Sequence, residues 1–214
     1  MSKEWNGNSR SASYALVINK GYNTKDREQD DYYATDPEAL VLLLDKCSSF
    51  LNGVMQGNIS TYPQGEYHIW ECACGSGNLS KVLQDRGFEV LSTDLKDRGF
   101  GRSGIDFLSI NRQHIASVIL TNPPYSLATE FAEHAMELLP ENGLYVALMN
   151  VNALSGIHRY KRLYNYGILR DIYIYSRRVN CYKNNKQEQA KGMCNYAWFV
   201  FQKGYVGQPT LYWL

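Results

Sequence analysis

The sequence contains no apolar run approaching the ~18 residues that cross a bilayer, so no membrane-spanning helix is expected. Its opening, Met1-Ser2-Lys3-Glu4-Trp5, has no signal-peptide character, and a cytoplasmic protein is expected. Cysteine is scarce and odd in number, five in 214 residues, which argues against a disulfide framework and for reduced thiols. Cys72 and Cys74 form a CxC pair, but no second pair or nearby histidine completes a zinc set, so no metal is expected. Internal repeats are absent. Net charge is nearly absent too, at +1, yet it is unevenly spread. Residues 1–158 hold 12 Lys/Arg against 19 Asp/Glu, whereas residues 159–191 hold nine against two. A basic segment on an otherwise acidic chain points to a polyanion met on one face. At 44% hydrophobic, the chain can bury one good core, which predicts one domain with some elaboration.

Along the chain, residues 1–31 are polar around Ala15-Leu16-Val17-Ile18 and are expected to form a loosely ordered arm. A single domain would occupy 32–214. Asp36-Pro37-Glu38 carries the marks of a helix start, a capping acid followed by proline, and the apolar run after it predicts a mostly buried helix to about Phe50. Residues 52–65, rich in Gly, Asn and Ser, are expected to be a loop. Next comes a strand over 67–70, then the turn Glu71-Cys72-Ala73-Cys74-Gly75-Ser76-Gly77-Asn78, then a helix over 79–86 and a strand over 88–93 that ends at Asp94. This is the order of a βαβ nucleotide-binding unit. The glycines permit a tight turn and close ligand approach, and an acid closing the next strand can hold two ribose hydroxyls. The third glycine of the dinucleotide fingerprint is missing, which favours a nucleoside-type ligand without a pyrophosphate.

Residues 99–104 are expected to be a flexible Gly/Arg loop. Behind them, Asp106 can accept from an adenine amino group while Phe107 contacts the ring. A strand over 118–121 then runs into Asn122-Pro123-Pro124-Tyr125. Neither proline has an N–H, so this turn presents carbonyls and the Asn122 amide with few competing backbone donors, and the rings restrict φ. Side-by-side acceptors suit an exocyclic amine, and Tyr125 adds a π-face on which a planar base can stack. A core helix over 127–139, a strand over 144–149, a helix over 155–166 and strands over 168–175 and 195–202 complete the reading. His158 reads as a surface residue of the 155–166 helix. Together these elements predict an α/β fold with a mostly parallel sheet and an antiparallel edge.

Taken in order, Asp30-Asp31-Tyr32-Tyr33-Ala34-Thr35-Asp36-Pro37, the glycine turn, Thr93-Asp94-Leu95, Ile105-Asp106-Phe107, Asn122-Pro123-Pro124-Tyr125 and the ending Asn195-Tyr196-Ala197-Trp198 onward resemble the S-adenosylmethionine-dependent amino methyltransferases of DNA. The adenine-N6 branch, and small phage and prophage enzymes within it, are the particular likeness, covering roughly residues 22–214. The resemblance implies a class I, Rossmann-like methyltransferase domain with a seven-stranded sheet and helices on both faces. It implies S-adenosylmethionine as cofactor, bordered by Tyr33 and Thr35 at its methionine end. Glu71, Cys72, Gly75, Gly77 and Asn78 would form the cofactor loop, Asp94 and Leu95 the ribose side, and Asp106 and Phe107 the adenine side. Asn122 and the Pro123 carbonyl would hold the target amine, with Pro124 and Tyr125 completing the catalytic turn around a base flipped out of duplex DNA.

One departure matters. Larger members carry a long target-recognition region, whereas here only the 159–194 segment is available, with Arg159, Arg162, Arg177, Arg178, Lys183 and Lys186. Recognition is therefore expected to rest on phosphate contacts rather than on a long specific site. The same turn serves cytosine-N4, adenine in RNA and protein glutamine amides, and a non-catalytic nucleic-acid-binding protein is a further alternative. Hydride transfer on NAD is disfavoured by the missing glycine and the lack of a proton-relay residue.

Overall fold

The computed structural model describes residues 33–47, 49–55, 67–177, 181–183 and 195–214. The expected N-terminal arm, Arg178 and Lys186 lie outside the described residues.

The first described element is a three-residue strand, β1 (Tyr33–Thr35). Asp36 then caps α1 (Pro37–Lys46) by accepting from Glu38 N–H at 3.0 Å, with Pro37 in the first turn. This helix stops four residues earlier than expected, because Cys47 turns extended. A second helix, α2 (Ser49–Met55), occupies the start of the expected loop. Leu51 and Val54, one helical turn apart, are each 1% exposed, so packing of that apolar pair outweighs the poor helix propensity of Gly53.

From there β2 (Tyr67–Glu71), α3 (Asn78–Asp85) and β3 (Val90–Ser92) form the expected βαβ unit, with both strands parallel. They are followed by β4 (Ala116–Thr121), α4 (Ala128–Leu138), β5 (Leu144–Asn150), α5 (Ile157–Arg162), β6 (Leu169–Ile174), β7 (Cys181–Lys183), β8 (Tyr196–Gln202) and β9 (Thr210–Trp213). The seven-stranded sheet has the order β3-β2-β4-β5-β8-β6-β9. It is mostly parallel, and the antiparallel strand is β8, placed toward the late edge between β5 and β6. The four-residue β9, which the Gly- and Pro-rich run before it conceals in the sequence, extends that edge parallel to β6.

Alternation along the fully buried β4 sorts its side chains onto two cores. Ile119 faces Trp70, Phe107, Phe131, Phe199 and Phe201, beneath α4. Val118 and Leu120 face Leu40, Leu43, Ile69, Leu83 and Trp198, beneath α1 and α3. Each fully buried Leu, Ile or Phe contributes roughly 1.5–3 kcal/mol, so both faces are strongly committed to the sheet. The chain leaves β2 for β3 on one side and returns to β4 on the other. A crevice therefore opens at the carboxyl ends of β2 and β4, where open α/β sheets bind ligands.

The expected flexible loop at 99–104 is instead pinned to the sheet. Arg102 pairs with Thr93, its N–H donating to Ser92 O at 2.9 Å, while Asp94 N–H donates back to Arg102 O at 3.0 Å. Gly101, at φ +70°, allows this approach, since a Cβ there would lie 2.8 Å from Ser92 O.

Candidate active site

The turns at the carboxyl ends of β2, β3 and β4 enclose a cleft of about 890 Å³, counting the space that opens to solvent. Of the residues singled out from the sequence, Thr35, Glu71, Cys72, Gly75, Asn78, Asp94, Leu95, Asp106, Phe107, Asn122 and Pro124 line it. The sequence reading missed Lys96, Arg98, Leu127 and Phe131, which also line it.

Asp94 is the best-anchored acid of the cleft. It is 8% exposed, and its carboxylate accepts from Gly75 N–H and Lys96 N–H, both at 2.8 Å. A carboxylate has about four lone-pair sites, so two remain for ligand hydroxyls. Glu71, at the end of β2, is 1% exposed and accepts from the Ser80 hydroxyl, which in turn lies 2.6 Å from Ser92 Oγ. Burial pushes the Glu71 carboxyl up to about 8, against the lowering effect of the Ser80 hydrogen bonds. Burial likewise pushes the Cys72 thiol well up and the Cys74 thiol to about 12. Both sulfurs are protonated walls of the site rather than nucleophiles.

Gly77 packs against the loop beside the cleft. It does not line the cleft. At φ +81° it precedes α3, and a Cβ there would sit 2.4 Å from the Phe100 ring. Its missing side chain makes room for the 96–104 loop, and Lys81 Nζ lies 5.1 Å from the centroid of that same ring. Asp106 is also partly committed, because it caps a short helix by accepting from Leu108 N–H at 3.0 Å and from the Ser109 hydroxyl at 2.8 Å. Phe107 is 2% exposed and packs on Trp70 and Phe131, so it reaches the cleft from within the core.

Asn122 follows β4 directly, and its Nδ2 donates to Thr35 Oγ1 at 2.9 Å. Asn78 Nδ2 donates to the Thr35 carbonyl at 2.8 Å, so one β1 residue joins the glycine turn to the Asn-Pro-Pro-Tyr turn. The Pro124 carbonyl accepts from Leu127 N–H at 2.9 Å. Tyr125 stacks on Tyr196 with ring centroids 5.9 Å apart. Tyr196 arrives opposite Asn150 through the β5–β8 ladder, a long-range pairing that local sequence does not signal.

The basic segment approaches the same region. β7 pairs antiparallel with β1, setting Lys183 opposite Tyr33 and Cys181 opposite Thr35. Arg162 is engaged by Glu130 and Glu133 of α4, Arg177 by Glu38, and Arg159 donates to Ser155 O at 3.1 Å. His158 is exposed on α5, as expected.

No family model and no curated protein matches the sequence. Solved structures do match its fold. The type IIG restriction endonuclease BpuSI superposes with TM-score 0.57 at 19% identity over 86% of this chain, which spans 27% of the endonuclease. A class I S-adenosylmethionine-dependent methyltransferase from Listeria monocytogenes gives 0.55 at 13% identity, covering 96% of this chain and 72% of that one. An RNA methyltransferase from Pyrococcus horikoshii gives 0.57 at 16% identity, covering 92% and 99%. The fold is that of the class I methyltransferases.

Proposed function

We propose that the chain transfers a methyl group from S-adenosylmethionine to the N6 amine of adenine in DNA. The observation that carries this reading is a juxtaposition: Asn122, at the end of β4, lines the same cleft as the buried acids Glu71 and Asp94. The cleft fits the cofactor's chemistry. Asp94 offers acceptors to vicinal hydroxyls, Glu71 is a buried acid suited to a cation, and Leu95, Phe107 and Leu108 supply apolar walls for a planar base. When bound, S-adenosylmethionine supplies a methyl group already activated on a sulfonium, so no strong protein base is demanded.

The chain's own residues orient the acceptor. The Asn122 side-chain carbonyl and the Pro123 carbonyl accept the two amine hydrogens, which localises the lone pair on nitrogen and fixes its direction. The Pro124 carbonyl already accepts one hydrogen bond, from Leu127 N–H. Tyr125 and Tyr196 form the aromatic wall on which the base stacks, and stacking offsets part of the roughly few kcal/mol needed to flip it. The nitrogen's surplus proton leaves to water. Restriction enzymes among the structural neighbours support DNA as the partner, and the basic segment beside β1 supports a polyanion.

The test is incubation with methyl-labelled S-adenosylmethionine and unmethylated duplex DNA, followed by digestion and nucleoside mass spectrometry. N6-methyldeoxyadenosine is the expected product. N4-methyldeoxycytidine would keep the mechanism and change the base. Label in RNA alone would move the substrate, and label in no nucleic acid would remove the reading.

A further inference from the structure

We infer that Thr35 is a positioning residue for the Asn122 amide, holding its nitrogen away from the target so that its carbonyl is the group the target meets. The inference rests on the methyl-transfer reading above. An asparagine side chain has two nearly isosteric faces of opposite hydrogen-bonding sense, an acceptor and a double donor. Only the acceptor face suits an exocyclic amine. Turned over, the same side chain would direct its NH₂ at the amine and would match a ring carbonyl instead. Something must hold one face forward, and the two prolines after Asn122 supply no N–H to do it.

Thr35 is placed to do so. It is 4% exposed, it lines the cleft, and its hydroxyl oxygen accepts from Asn122 Nδ2 at 2.9 Å across 87 residues of chain. Thr35 is itself held from three directions. The β1–β7 ladder fixes the backbone, with Thr35 opposite Cys181. Asn78 Nδ2 at the start of α3 grips the Thr35 carbonyl at 2.8 Å. Burial restricts the β-branched side chain further, because its χ1 is stiff. The amide is thus aligned before any substrate arrives, by a strand that also touches the cofactor loop. Neither contact is visible from residue spacing, since β1, the glycine turn and the Asn-Pro-Pro-Tyr turn are distant in sequence.

The experiment uses the full chain with Thr35→Val and Thr35→Ser, each alone and combined with Asn122→Ser, which removes the amide. Single-turnover methylation of duplex DNA is read beside the cofactor dissociation constant from calorimetry. Valine keeps the shape and the backbone carbonyl that Asn78 holds, and removes only the hydroxyl. Thr35→Val is expected to slow methylation about 10- to 100-fold at saturating cofactor, the scale of a misplaced reacting group. Thr35→Ser should restore the rate to within about threefold of wild type. On the Asn122→Ser background, Thr35→Val should add almost nothing, because no amide remains to be held. A valine variant as fast as wild type would overturn the inference, as would a loss carried by cofactor affinity or a loss that multiplies with Asn122→Ser. A wild-type protein that methylates no nucleic acid removes the underlying reading and the inference with it, and that outcome is distinct from all three.

Discussion

The cofactor side of the cleft and the basic surface proposed to meet the target are held by different physics. On the cofactor side, Asp94 is pinned by two backbone N–H groups at 2.8 Å, Glu71 is sealed against Ser80, and the 96–104 loop is hydrogen-bonded to β3. On the side proposed to meet the target, the described basic residues lie outside the cleft in exposed ion pairs, Arg162 with Glu130 and Glu133, Arg177 with Glu38. Charge-assisted hydrogen bonds out of water, such as those to Asp94, contribute about 1.5–3 kcal/mol each, whereas exposed ion pairs contribute ~0–1 kcal/mol. The first set builds a fixed receptor. Under the proposed function, the second would exchange its partners for phosphates at little cost, which suits a polymer that must slide and release.

That contrast breaks most sharply at Asn122, where the two sides meet. Asn122→Ala should lower the methylation rate by about 10²–10³-fold or more, the cost of losing one transition-state partner, while the cofactor dissociation constant stays nearly unchanged. Single-turnover kinetics and calorimetry on the same preparation check both halves. Equal weakening of both would show that Asn122 belongs to the cofactor side instead. Asp94→Ala should do the reverse, weakening cofactor binding about 10- to 100-fold through lost charge-assisted hydrogen bonds. It also frees the Gly75 and Lys96 N–H groups, so its effect should exceed that of a ligand contact alone. Cofactor affinity unmoved by this change would reassign the ribose.

The same contrast explains what could be read from the sequence. The cofactor side is written in short contiguous segments, Glu71 to Asn78 and Thr93 to Leu95, where a strand, a turn and an acid declare themselves locally. Phe131 and Leu127 reach the cleft from the start of α4, but their spacing marks them only as one apolar helix face. Tyr196 and Thr35 come to the catalytic turn through strand pairing, so no window of sequence contains both partners. The loop at 99–104 misled in the opposite direction. Within it Gly101 admits close backbone contact with β3, and Gly77 outside it makes room for the Phe100 ring. Gly53 misled in the same way, because tertiary burial of Leu51 and Val54 overrode local propensity.

Glu71 sharpens the comparison through pH. Burial holds its carboxyl up to about 8, so below that pH the free protein carries it protonated. A bound cationic cofactor favours the ionised form, and binding then releases a proton. Cofactor affinity should therefore rise with pH, by up to about tenfold per unit below 8, and level off above it. Calorimetry in buffers of different ionisation enthalpy would count the proton directly. Glu71→Gln should bind more weakly at pH 8 and lose the slope. An equally steep profile in that variant would place the titrating group elsewhere.

The smallest expected effect lies on the target side. Replacing Arg177, Arg178 and Lys183 with glutamine removes up to three phosphate contacts, and each contact contributes about 0.9 to the slope of log K against log salt. The slope should fall by up to about three units, and affinity at physiological salt by roughly 3- to 10-fold. The loss is modest because phosphate neutralisation is spread over the segment and because Arg177 regains Glu38 whenever DNA leaves. Lys183 is the informative member, since β7 sets it opposite Tyr33, two residues from the Thr35 that touches Asn122. Its neutralisation alone should lower DNA affinity without changing the rate in the bound complex, measured by filter binding and single turnover at saturating DNA. A slope unchanged by the triple substitution would move the DNA-facing surface off the basic segment and leave the fixed side of the cleft as it stands.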